Sequence, residues 1–201
     1  MNFGVGDNRA AEWDERYGNA ERLWTADVNP ALVVETDGLT PSTALDVGSG
    51  EGADARWLAR RGWQVTAVDI SQVAIDRARE LSGDLPITWA RADLVDDPVP
   101  GSDFGLVALH YFPIPVGNRD VARKLVDAVG PGGSLLVVAH APEGVRAHGF
   151  DPADLVQPAD FADLLDATWQ VVTDETRARG RATGGGHHTH DVVFRARRAP
   201  R

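Results

Sequence analysis

The sequence predicts an α/β domain built on a doubly wound, mostly parallel sheet with helices on both faces. Three observations carry the prediction. From residue 43 onward, short apolar runs alternate with segments of helical period, the pattern of successive β-α-β units. The first run, Thr43-Ala-Leu-Asp-Val47, enters a turn carrying Gly48, Gly50 and Gly52, as in a unit that cradles a nucleotide. The second, Val65-Thr-Ala-Val-Asp69, closes on a carboxylate.

The elements follow in order. Arg9 to Gly18 reads as a short helix with Trp13 and Tyr17 four residues apart on one face. After the Asn29-Pro30 turn, Ala31 to Thr36 reads as a second helix with proline at its start. Ala44 to Val47 is the first core strand. A helix from Ala53 to Arg61 ends at Gly62, where a left-handed residue stops it. Gln64 to Val68 is the second strand. Ser71 is placed to cap the helix Val73 to Leu81. Ile87 to Ala90 and Phe104 to His110 read as the third and fourth strands, and Arg119 to Val129 as a helix stopped by Gly130-Pro131-Gly132-Gly133. Ser134 to Ala139 is apolar almost throughout, as a strand buried on both faces must be. Phe161 to Ala167 reads as a helix, and Trp169 to Thr176 and Asp191 to Ala196 as two strands joined through a loop containing Gly184-Gly185-Gly186.

Composition bounds the function. The 201 residues suffice for one substantial core and not for two. No run of about 18 apolar residues is present, and Met-Asn-Phe-Gly-Val-Gly-Asp lacks the basic-then-apolar pattern of a signal peptide, so a cytoplasmic location is expected. Without cysteine there is no thiolate nucleophile, thiolate metal site or disulfide. A net charge of −10 argues against nucleic-acid and anionic-membrane partners, since phosphate contacts need clustered Lys and Arg. Residues 174–201 run against that balance, with seven arginines and three acids; a solvated strand edge and tail is the simpler reading of them than an RNA-facing strip.

The turn alone fits two ligands. Gly48, Gly50 and Ala53 satisfy a dinucleotide fingerprint, with Asp69 near the offset of a ribose-binding acid. A pyrophosphate, however, would meet Asp46 before the first glycine and Glu51 within the turn, and carboxylates repel it. A cofactor without phosphate that carries an ammonium and a sulfonium suits such a turn better.

The ordered set Asp46-Val-Gly48-Ser49-Gly50-Glu-Gly52, Asp69 and Ala92-Asp93-Leu94 resembles the class I S-adenosylmethionine-dependent methyltransferases. The resemblance implies a Rossmann-like, seven-stranded sheet whose closing strands run antiparallel, with S-adenosylmethionine as cofactor and a small-molecule methyl acceptor. It assigns cofactor contacts to Asp46, Gly48, Ser49, Gly50, Asp69, Ile70, Ala92, Asp93, Leu94 and Leu109, with Asp69 on the ribose hydroxyls and Asp93 on the adenine amino group; Asp96 and Asp97 offer alternative acids. The fourth strand would aim His110 and Tyr111 at the transferable methyl, as a base or as pocket lining, and His140 would reach the same pocket from the fifth. Catalysis would need chiefly alignment and exclusion of water. No metal site is expected: His187, His188 and His190 follow a glycine-rich loop without defined ligand spacing.

A second resemblance lies at the front. Glu12-Trp13-Asp14-Glu15-Arg16-Tyr17, Leu23-Trp24, Asn29-Pro30, Arg61-Gly62-Trp63 and Asp69-Ile70-Ser71 are similar to the group containing the tellurite-resistance and thiopurine methyltransferases. It implies a helical lid over residues 1–40 on a cofactor-binding domain over 41–201, with Trp24 packed near the cofactor and Arg16 and Tyr17 facing it or the substrate. Trp13 reads instead as a core residue of its helix. Two other functions share these motifs: a nicotinamide-dependent oxidoreductase, and a non-catalytic protein that binds S-adenosylmethionine.

Overall fold

The computed structural model describes residues 8–147, 151–179 and 189–201. Its strands are β1 (Thr43–Val47), β2 (Gln64–Asp69), β3 (Ile87–Arg91), β4 (Phe104–His110), β5 (Val129–His140), β6 (Trp169–Ala178) and β7 (His190–Arg198). Its α-helices are α1 (Arg9–Gly18), α2 (Pro30–Glu35), α3 (Ala53–Arg60), α4 (Gln72–Ser82), α5 (Arg119–Asp127) and α6 (Pro142–Ala147). The seven strands form one sheet in the order β3-β2-β1-β4-β5-β7-β6. The first five run parallel, and β7 is antiparallel to both β5 and β6. This is the mostly parallel sheet with an antiparallel closing pair expected for the class I methyltransferase fold.

Pleat alternation splits the apolar residues between two cores. Leu45, Val47, Val107 and Leu109 pack with Val121 and Leu125 of α5 and with Phe161 and Phe194. Ala44, Leu106, Ala108, Leu136 and Val138 pack on the other face with Ala31 and Leu32 of α2 and Ala55 and Leu58 of α3. Two devices tie the ends of the chain to this frame. Asn29 caps α2 by accepting from the Ala31 amide. Glu35, buried at its end, accepts from Thr173 at 2.8 Å and pairs with Arg177 and Arg195 at 2.9 and 3.1 Å. Four arginines of the arginine-rich stretch are thus engaged within the sheet: besides Arg177 and Arg195, Arg179 pairs with Asp191, and Arg198 donates to the Val129 carbonyl while lying over Trp169.

Two sequence expectations need correction. The helix expected to run to Val129 ends at Asp127, and Val129 through Gly133 belong to β5. The glycines stop no helix. A Cβ on Gly130 would meet the backbone of Asp103, and one on Gly133 the Phe104 carbonyl at 2.6 Å, so bare backbone lets β5 lie against β4 across a bulge. The helix expected over Phe161–Ala167 is a 3-10 helix over Pro158–Leu164. Proline starts it, Gln157 and Asp160 cap it reciprocally, and Leu165 is already extended.

Candidate functional site

The carboxyl ends of β1, β2, β4 and β5 converge on one cleft edge, where the order of an open α/β sheet reverses. The turn after β1 has Gly48, Gly50 and Gly52 at φ of 66°, 51° and 77°, a left-handed conformation that side chains resist. Contacts above it are aromatic. The place a Cβ on Gly50 would take lies 2.8 Å from the Tyr17 hydroxyl and 3.6 Å from Trp24, and on Gly48 it lies 2.7 Å from Phe112. Gly52 instead faces Trp89 and Ala78, so it serves packing of α3 against its neighbours.

Asp69 closes β2 and is buried, its two oxygens accepting from the amides of Gly50 at 2.7 Å and Ser71 at 2.9 Å. Burial pushes its pKa up against those bonds. Asp46 is enclosed beneath the turn at 2% exposure, and its Oδ2 has no hydrogen-bond partner among the described residues. Burial, then the nearby Asp54 carboxylate, push its pKa up to about 7. The Ser49 hydroxyl is likewise buried without a partner among those residues. An unpaired buried carboxylate oxygen and hydroxyl beside a glycine cradle fit a ligand that brings a cation and a carboxylate together.

A second group stands behind the first. Asp46 on β1 and His110 at the end of β4 face the α3 side, where the first turn of α3 presents Asp54. His110 Nδ1 lies 2.9 Å from Asp54 Oδ2, and Asp54 Oδ1 accepts from the Asn29 amide at 2.7 Å. Donor atoms of Asp46, Asp54 and His110 all lie within 4.8 Å of one another. Burial opposes charge on His110, but Asp54 and Asp46 outweigh it and hold the imidazole pKa above its ordinary value. Tyr111 follows with φ of 54°, a conformation costly for a tyrosine. Its ring stacks on His140 with centroids 4.1 Å apart, and its hydroxyl donates to Asp191 at 3.0 Å. Arg179 lies over the same ring and pairs with Asp191.

The N-terminal helix is fastened across the ends of β2 and β3. Arg9 pairs with Asp93 at 2.7 Å and Asp96 at 2.6 Å. Asp14 accepts from the Ser71 hydroxyl at 2.6 Å and the Val73 amide at 3.2 Å, at the start of α4. Glu51 accepts from the amides of Leu23 and Trp24 and pairs with Arg77. Glu51 therefore holds the N-terminal segment, and the charge argument at the turn rests on Asp46.

The remaining sequence candidates divide by position. Tyr17 is buried over the turn and accepts from the Trp24 indole at 3.0 Å, while Trp24 keeps 50% exposure. Arg16 is turned outward over Trp13, itself half-buried against Tyr17. The Ala92 amide donates to the Asp69 carbonyl, and the Ile70 carbonyl accepts from Arg91, so both line the β2–β3 end. Leu94 and Leu109 have their side chains in the α5-side core. His187 and His188 lie outside the described residues; His190 opens β7, exposed and bonded to Thr189. Sequence reasoning missed Asp54, Asn29, Phe112, Arg179 and Asp191. Of these, Asn29 was marked only as a turn before a helix and Asp191 only as an acid opening an apolar strand.

Known proteins resemble this chain in sequence and in fold. Residues 44–133 match the family model described as "Methyltransferase domain". An uncharacterised methyltransferase of Mycobacterium bovis is 35% identical over 131 residues, covering 63% of this chain and 65% of its own length. The match thus spans just under two thirds of that relative's length. Among solved structures, the N-methyltransferase NodS of Bradyrhizobium japonicum, in complex with S-adenosylhomocysteine, superposes with a TM-score of 0.72 at 19% identity over 96% of this chain and 99% of that one. A protein described by the conversion of a disulfide bond into a thioacetal group during echinomycin biosynthesis gives 0.76 at 22% identity, over 94% and 91%. These two likenesses show the fold.

Proposed function

We propose that this chain transfers the methyl group of S-adenosylmethionine to a small-molecule acceptor bound at the ends of β4 and β5. The observation that carries the reading is the enclosed, unpartnered Oδ2 of Asp46 beneath a left-handed glycine turn. A pyrophosphate would be repelled there, whereas an ammonium satisfies the carboxylate. The matched methyltransferase domain spans this turn, Asp69 and Asp93.

When bound, the cofactor supplies an electrophilic methyl carbon on a sulfonium. Asp46 would take its ammonium, Ser49 and the backbone at Gly48 and Gly50 its carboxylate, and Asp69 the ribose hydroxyls. Asp93 would meet the adenine, sharing its carboxylate with Arg9. Tyr17 and Trp24 would close the outer side, so that residues 1–40 act as the lid of a catalytic domain over 41–201. That lid, fastened through Arg9, Asp14 and Glu51, supports placing the chain near the tellurite-resistance and thiopurine group. Tyr111, His140 and Asp191 would wall the acceptor pocket. The net charge of −10 supports a small acceptor over nucleic acid.

Titration calorimetry tests the reading. S-adenosylmethionine and S-adenosylhomocysteine should bind the native chain, and binding should vanish in Asp69→Ala. Tighter binding of NAD than of either would reverse the assignment to an oxidoreductase.

A further inference from the structure

We infer that Asp54 and His110 form a proton-accepting pair beside the cradle, and that the methyl acceptor is a hydroxyl compound. The inference rests on the methyl-transfer reading and adds to it a base and a substrate class.

His110 ends the strand whose carboxyl terminus borders the turn, and its side chain is only 6% exposed. Asp54 is fixed by the Asn29 amide through one oxygen and faces Nδ1 of His110 at 2.9 Å with the other. A carboxylate at that distance draws the ring proton toward Nδ1 by charge, although the contact lacks the alignment of a hydrogen bond, and so leaves the lone pair on Nε2. Nε2 is enclosed and has no hydrogen-bond partner among the described residues. A buried and unpaired basic nitrogen is costly to keep unless a ligand completes it. The groups facing His110 are Asp54 from α3, Asp46 from β1 and Asp191 from β7, all acidic, and each favours the charged ring.

The acceptor class follows from what such a base adds. A thiol is readily ionised, and an amine attacks through a free lone pair and sheds its proton afterwards. A neutral hydroxyl is a weak nucleophile until its proton leaves, so it gains most from a positioned base. In the step, the hydroxyl proton passes to Nε2 of His110 while the oxygen lone pair forms the bond to the methyl carbon. The carbon–sulfur bond breaks onto sulfur and discharges the sulfonium. The imidazolium is held by Asp54 until it yields its proton to solvent.

Two measurements test this. In the cofactor-free protein, NMR titration of His110 should show its midpoint fall in Asp54→Asn and recover in Asp54→Glu; an unchanged midpoint overturns the pair. In turnover with S-adenosylmethionine, 4-methoxyphenol and 4-nitrophenol serve as acceptors. At about pH 8.5, His110→Gln should lower kcat/KM by about a hundred-fold or more for the un-ionised methoxyphenol and by less than about ten-fold for the nitrophenol, largely ionised at that pH, with cofactor affinity retained by calorimetry. Equal losses for both phenols, no turnover of either by the native chain, or turnover abolished by EDTA and restored by a divalent cation would overturn the proposal. Intact cofactor binding in those cases would leave the methyl-donor reading standing, whereas absent binding would remove both.

Discussion

A carboxylate enclosed as Asp46 is loses its hydration, and the bond from the Ala55 amide and the field of His110 return only part of it. Its proton is therefore held more tightly in the folded chain, with a pKa of about 7, than in the unfolded one. That contribution to stability is fully present below the ordinary carboxylate range and is lost as pH rises through about 7. Asp46→Asn should accordingly raise stability at pH 8, by a few kcal/mol at most, with the gain vanishing near pH 4. The same variant should bind S-adenosylmethionine far more weakly; urea denaturation at the two pH values and calorimetry read both effects. The residue was legible in the sequence through its place before the glycines. Its environment was not, because Asp54 and His110 reach it from other elements. Glu51 illustrates the same limit: its position suggested a ligand neighbour, and the fold turned it toward Leu23, Trp24 and Arg77.

Helix α4 begins where two separate polar devices meet. The Ser71 hydroxyl accepts from the Ala74 amide and donates to Asp14 of α1. The cap was readable from Ser71 preceding an amphipathic run, whereas the tie to Asp14, 57 positions away, was not. Ser71→Ala should cost about 1–2 kcal/mol in chemical denaturation, toward the upper end of a cap because the link to α1 goes with it. Boundaries failed where glycine has two meanings. At Gly62 the left-handed residue ends a helix, as expected. At Gly130 and Gly133 the missing Cβ permits contact between strands, and only the partner strand reveals that.

Across the whole molecule, strand order and the two cores follow from alternating apolar runs, which is why the fold was legible from residue 43 onward. Phe194 is fully buried and links the antiparallel closing pair to the α5-side core. Phe194→Ala should cost about 3–5 kcal/mol, measured as a lowered urea midpoint. What the pattern could not carry is how the chain's front end meets its middle, because those contacts are polar and long-range. Arg9 with Asp93 and Asp96, and Glu51 with Arg77, are charge pairs, three of them holding or neighbouring the segment that lies over the turn. Partly exposed pairs weaken as dissolved ions screen them, over a Debye length of about 10 Å at 0.1 M salt. The timing of cofactor exchange should therefore be set by ionic strength: stopped-flow release of S-adenosylhomocysteine should speed up several-fold between 0.05 and 0.5 M salt, on the order of what screening of such pairs allows. In Arg9→Ala the release should be faster at the outset and respond less to salt, an outcome that would make the N-terminal helix a clock for turnover.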